Sequence, residues 1–136
     1  MAGKEPLKLS RSWEYASFII ESMETNAPGT IYGTVPNTRL IENLPLDGVV
    51  EVACTVDRRG VSPNYYGKLP PQCAGLSASN MHMFDLAADA CVQKDRTLAE
   101  QALMLDPLTA AVCCPAEVRQ MTRELFQAEK EFLPGF

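Results

Sequence analysis

Glu51 lies inside an apolar run, Val49-Val-Glu-Val-Ala-Cys-Thr-Val56, and is the one carboxylate whose setting suggests acid–base work. Hydrolysis of a glycosidic bond by paired carboxylates needs a second acid across a cleft. An alternating strand would instead turn Glu51 to solvent. Arg11, Glu14 and Tyr15 put charged and phenolic groups on one helical turn, with Arg11 and Tyr15 sharing a face at i,i+4. Ligand contact and an ordinary solvated face both remain open for that group. His82 is the only imidazole, flanked by Met81 and Met83, with no histidine or cysteine at i±4, and reads as a packed or surface side chain. The vicinal thiols Cys113 and Cys114 belong to no C-x-x-C pair. There is no G-x-G-x-x-G, no P-loop and no G-x-S-x-G elbow, and Ser77 and Ser79 read as turn or cap residues. These residues make no complete active site.

Residues 33–45, Gly-Thr-Val-Pro-Asn-Thr-Arg-Leu-Ile-Glu-Asn-Leu-Pro, follow neither helical nor strand periodicity. Val35, Leu40, Ile41 and Leu44 call for burial, whereas Pro36 and Pro45 remove backbone donors. Asn37 and Asn43 carry amides able to replace lost backbone partners. The segment is predicted to be ordered and irregular, serving either as a packed connector or as a ligand-contacting loop.

The elements around it are readable. Ser10 or Ser12 offers a cap for a helix to about residue 24, with Trp13, Ala16, Ile20 and Met23 on one side, stopped by Asn26-Ala-Pro-Gly29. Strands are predicted over 30–35, 49–57 and 61–66, and Asp57-Arg-Arg-Gly60 has the chemistry of a tight hairpin. From Pro70-Pro71 the composition turns helical. One helix over 72–94 carries Leu76, Met83, Ala87 and Cys91 on one face and Asp85 and Asp89 on the other. Asp95, Asp106-Pro107 and Pro115 open three more. The last spaces Val118, Met121, Leu125, Ala128 and Phe132 as a narrow apolar seam.

With 136 residues, 46% of them hydrophobic, the chain supports one domain over residues 1–136 that buries roughly two thirds of its unfolded surface. A net charge of -5 and the lack of a Lys/Arg cluster argue against nucleic acid as a partner. No leader-like segment and no apolar run near ~20 residues is present, so the chain is expected to be soluble and cytoplasmic, without a membrane partner. Its five cysteines, an odd number, are expected to be reduced and mostly buried among apolar neighbours.

Read in order, Arg11-Ser-Trp-Glu-Tyr15, Asn37 with Ile41-Glu-Asn-Leu-Pro45, Val49-Val-Glu-Val52, Gly60-Val-Ser-Pro63, Gly67-Lys-Leu-Pro-Pro71 and Asp106-Pro-Leu-Thr-Ala110 resemble the C-terminal region of glycoside hydrolase family 4, most closely its α-galactosidase-like branch. The resemblance runs from about Gly3 to Pro134. It implies an α+β fold, a small antiparallel or mixed β-sheet packed with several α-helices, like the C-terminal domain of lactate dehydrogenases.

Members of that family bind NAD in a Rossmann half and hold manganese through a cysteine and a histidine. They abstract a hydride at sugar C3, which acidifies C2, and then eliminate and re-add across the glycosidic bond, with a tyrosine as the proposed base. All those parts lie upstream of the region matched here. The resemblance therefore implies no catalytic, metal or cofactor residue in this chain, and no cofactor for the chain alone. It leaves Arg11, Asn37 and Asn43 as candidate substrate contacts. It implies a catalytically incompetent piece of a larger glycosidase, or alternatively a stand-alone module retained for self-association or subunit binding. Its partner would be a second copy or a missing Rossmann domain. Thr34 stands where the family often has Asn, Arg39 where it often has Gly, and Trp13 where a polar or basic residue is usual.

Overall fold

The computed structural model describes residue 10 and residues 13–136, so Arg11, Ser12 and the lead-in 1–9 lie outside the described residues. In chain order the elements are α1 (Ala16–Thr25), β1 (Gly29–Pro36), β2 (Val49–Asp57), β3 (Gly60–Pro63), α2 (Pro71–Gln93), α3 (Arg96–Leu105), α4 (Pro107–Val112) and α5 (Pro115–Ala128). They divide between two compact units. Met1–Thr34 with Glu51–Asn64 forms the first, and Val35–Val50 with Tyr65–Phe136 the second. The architecture is α+β.

In the first unit, β2 alternates as its sequence requires, with Val52, Cys54 and Val56 buried and Glu51 exposed. Each buried valine removes apolar surface worth about 2 kcal/mol. Glu51 thus faces solvent. The sheet order is β1-β2-β3, and the antiparallel β2–β3 pair runs from Asp57↔Gly60 to Cys54↔Pro63. Gly60 closes this two-residue hairpin at φ 106°, a conformation that a side chain would strain. Asp57 anchors the turn through the backbone N–H and guanidinium of Arg59. The hydrogen bond from that guanidinium holds the Asp57 carboxyl below its usual range.

Two expectations fail here. Strand β3 ends at Pro63, short of Tyr66, because the chain leaves the hairpin and Tyr66 and Gly67 donate instead to the Leu40 carbonyl. Helix α1 starts at Ala16, and its apolar stripe is not a core face. Trp13 is 100% exposed, Ile20 and Met23 are also open to solvent, and the residue that α1 buries is Ser22. Asn26 does end the helix as expected, in the left-handed conformation.

The second unit holds the other helices. Asp95 caps α3 by accepting from the N–H groups of Thr97 and Leu98. Asp106 likewise caps α4, where the Thr109 hydroxyl and N–H hold its carboxyl below the usual range. Pro71, Pro107 and Pro115 each open a helix where a missing N–H costs nothing. Helix α2 buries Ala74 and Ala90, whereas Leu76 and Cys91 are exposed. On α5, Val118 and Thr122 are buried, while Leu125, Ala128 and Phe132 stand open, Phe132 beyond the end of the helix. The expected seam is therefore covered only at its start.

All five cysteines are free thiols, but only Cys54 is buried. Cys113 is half-buried, and Cys73, Cys91 and Cys114 are exposed. Cys73 and Cys91 lie on α2 and Cys114 at the start of α5, so apolar neighbours in sequence do not by themselves cover them. A chromogenic thiol reagent is expected to modify three sites rapidly in the native chain, a fourth slowly, and Cys54 only in denaturant. Rapid modification of Cys54 would contradict its burial within β2.

Candidate functional site

The irregular segment between β1 and β2 is organised by one side chain. Asn37 is 0% exposed. Its amide nitrogen donates to the carbonyl oxygens of Ile41 (3.0 Å), Leu44 (3.2 Å) and Pro45 (3.0 Å), and its Oδ1 accepts from the Ile41 N–H at 2.9 Å. The Asn37 backbone N–H closes the base of the loop onto the Gly48 carbonyl at 2.8 Å. A prolyl nitrogen cannot complete a ladder, so a side-chain amide supplies the missing interactions. Around this polar centre, Ile41 and Leu44 are buried. Gly48 lies so close to α2 that an added Cβ would fall 1.7 Å from Met81 Cε.

A second amide ties this loop to the strand-like segment that follows β3. Asn43 Nδ2 donates to the Leu69 carbonyl and Oδ1 accepts from the Leu69 N–H, both at 2.9 Å. Nearby, Ile41 and Gly67 form a parallel bridge, with the Glu42 N–H donating to the Gly67 carbonyl. The amides of Asn37 and Asn43 are thus spent on backbone. Arg11 lies outside the described residues.

Sequence reading missed what these ties assemble on the surface. Arg39, Glu42, Leu46 and Tyr65 line a cleft of about 490 Å³. The Tyr65 hydroxyl donates a short hydrogen bond to Glu42, whose other oxygen lies 3.7 Å from Lys68 Nζ. That bond to Glu42 raises the phenol above its ordinary range, so Tyr65 stays protonated at neutral pH and serves as a hydrogen-bonding group, not a base. The phenol, carboxylate and guanidinium could hydrogen-bond a polyol beside the apolar Leu46. They supply no nucleophile with an adjacent base. Residues 23 positions apart meet here because the Ile41–Gly67 bridge, the Leu40 carbonyl and the Asn43 amide join the two segments, an arrangement that leaves no periodic signature.

Arg39 has φ 68°, left-handed for a residue with a Cβ, and its guanidinium has no hydrogen-bond or ion-pair partner among the described residues. Left-handed backbone costs about 1–2 kcal/mol for such a residue, against about 0.5–1 kcal/mol for the extra chain entropy of glycine. Arg39→Gly is therefore expected to stabilise the fold by about 0.5–1 kcal/mol, raising Tm by roughly 2–4 °C in calorimetry. A lower Tm would mean that the guanidinium contributes more than its surroundings indicate.

Among the described residues no group of three or more His, Cys, Asp and Glu side chains could hold a metal ion. His82 is exposed on α2, apart from any such group. The chain's described residues do not fit a manganese centre. No described helix is long and apolar enough to cross a membrane.

The fold and this loop define a recognisable class. A 6-phospho-α-glucosidase from gut microorganisms, solved with NAD and glucose-6-phosphate, superimposes with a TM-score of 0.70 at 25% identity, over 86% of this chain and 26% of that one. The 6-phospho-β-glucosidase from Thermotoga maritima, solved with manganese, NAD+ and glucose-6-phosphate, gives 0.70 at 25% identity, over 85% of this chain and 29% of that one. Residues 2–109 match the Family 4 glycosyl hydrolase C-terminal domain, and the chain belongs to that family as its C-terminal domain. An α-galactosidase of Bacillus subtilis (strain 168) is 43% identical over 93% of the chain, and one of Rhizobium meliloti (strain 1021) is 34% identical over 99%. The chain spans only 29% and 28% of the length of these two relatives.

Proposed function

We propose that this chain serves as the C-terminal part of an α-galactosidase-type family 4 glycosidase and has no turnover by itself. The observation that carries this reading is the 43% identity to the Bacillus subtilis α-galactosidase across nearly the whole chain, more than its identity to the phosphoglucosidases it resembles. Among the described residues no group of three or more His, Cys, Asp and Glu side chains could hold a metal ion. NAD and manganese, bound by the Thermotoga relative, would be held by residues outside this chain. Its own contribution would be a framework: the Asn37-clamped loop fixed to α2, with the polar cleft of Arg39, Glu42 and Tyr65 on its rim. The site of action would be the cytoplasm.

The partner is either a second copy or a Rossmann-containing domain. Exposed Leu125 and Phe132, with Leu108 and Val112, favour some partner over none. A nucleic-acid partner does not fit a net charge of -5.

Two measurements on the isolated chain test this reading. Calorimetry with NAD is expected to give no heat of binding at micromolar concentrations. An aryl α-galactoside with added manganese, NAD and reductant is expected to remain uncleaved. Metal-dependent turnover, or micromolar NAD binding, would overturn the proposal.

A further inference from the structure

Arg39 combines a strained backbone with an unengaged side chain. Its φ of 68° is left-handed, and its exposed guanidinium meets no hydrogen-bond or ion-pair partner among the described residues. Glycine would hold the same turn without that strain, so the fold itself has no use for an arginine here. Left-handed residues other than glycine collect where a ligand or a switch uses them. The guanidinium lines the cleft of about 490 Å³, with Glu42, Leu46 and Tyr65.

The cleft stands on fixed backbone. The Leu40 carbonyl, one residue beyond Arg39, accepts from the N–H groups of Tyr66 (2.9 Å) and Gly67 (3.1 Å), and the Glu42 N–H donates to the Gly67 carbonyl at 2.9 Å. The Asn43 amide adds its two bonds to Leu69. Arg39, Glu42 and Tyr65 each lie within one residue of these ties, so their backbones are held together before any ligand arrives.

The cleft's volume is in the range of small-molecule sites, and its chemistry is mixed. Arg39 offers a planar fork of donors that matches a carboxylate. Glu42 has about four acceptor positions, and the Tyr65 hydroxyl takes one of them, which leaves others for the hydroxyls of a ligand. Leu46 supplies an apolar wall for C–H groups. Lys68 Nζ lies 3.7 Å from Glu42, so two cations stand against one carboxylate, and the surplus positive charge fits a monoanion. A plain carboxylate would set its apolar chain beside Glu42. A neutral polyol would leave the guanidinium without a counter-charge.

We propose that this cleft binds sugar acids, polyhydroxylated molecules that carry one carboxylate, and that Arg39 selects for the charge. The carboxylate pairs with the guanidinium, and the hydroxyls donate to Glu42 beside Leu46. The proposal is independent of the glycosidase reading, because binding to the full chain is measured whether or not any glycoside is cleaved.

The test titrates the full chain with sodium D-gluconate and follows the Leu46 methyl signals and the Arg39 and Tyr65 amide signals. Sorbitol serves as the neutral polyol and propionate as the carboxylate without hydroxyls, at matched ionic strength. Gluconate is expected to saturate with a Kd on the order of 1 mM, and both controls to bind at least about tenfold more weakly. Arg39→Gly is expected to weaken gluconate at least about tenfold, since it removes charge-assisted hydrogen bonds, while the chain stays folded because the glycine relieves strain. Arg39→Lys keeps the charge without the fork and is expected to weaken gluconate at least about threefold, which decides the matter if Arg39→Gly loses its fold. Glu42→Gln is expected to narrow the gap between gluconate and propionate. Gluconate binding indifferent to both Arg39 substitutions, propionate binding as tightly as gluconate, or signals unmoved by gluconate at tens of millimolar would each overturn the proposal.

Discussion

Asn37→Ala is expected to destabilise the chain by about 3–5 kcal/mol in urea unfolding, a large share of what a domain of this size has. The amide is fully buried and serves four backbone groups: the Ile41 N–H and the carbonyls of Ile41, Leu44 and Pro45. Truncation removes the partners and leaves those groups behind. Each buried group left without a partner costs about 1–3 kcal/mol, and partial access of water brings the sum down. Asn37→Asp is expected to be at least as damaging at neutral pH, because it aims an anion at three carbonyl oxygens. Asn43→Ala provides the control. Its amide is exposed and its two bonds to Leu69 can be replaced by water, so a loss of under about 1 kcal/mol is expected. If Asn37→Ala cost no more than Asn43→Ala, the loop would not depend on its buried amide.

Asn37 also marks how far the sequence could be read. Two prolines and two asparagines among apolar residues indicated an ordered segment whose amides stand in for backbone partners, and both do so. The same residues were candidate sugar contacts, a role that side-chain type alone cannot separate from clamping. Only the carbonyls that Asn37 meets decide where its amide is spent.

Strand β2 and the hairpin were legible because alternation and the Asp57-Arg-Arg-Gly60 turn are local signals. Helix starts were legible for the same reason, with Asp or Pro at α2 to α5. Helix faces were not. In α2 and α3 the buried residues are Ala74, Ala90 and Ala102, small side chains that let helices approach closely. The face that periodicity selected on α2, Leu76, Met83, Ala87 and Cys91, is half-buried at Met83 and Ala87 and exposed at Leu76 and Cys91. The cleft of Arg39, Glu42 and Tyr65 joins residues distant in sequence, and no periodicity announces it.

The family assignment leads to the second large effect, which concerns activity. Exchange of the matching segment of the Bacillus subtilis α-galactosidase for this chain is expected to give an active chimera. At 43% identity over 93% of the chain, most contacts that seat the segment should persist. Small misplacements at the interface still matter, since an error of about 1 Å can cost on the order of a hundredfold in rate. The chimera is therefore expected to cleave an aryl α-galactoside within about a hundredfold of the parent enzyme. The parent cut short before the segment is expected to give no detectable turnover.

Turnover of that chimera, measured with NAD, manganese and reductant beside the truncated parent and the isolated chain, tests the assignment most directly. The expected result is cleavage by the chimera and by neither part alone. A chimera that folds and binds NAD yet leaves the α-galactoside intact would contradict the proposal that this chain is part of an α-galactosidase.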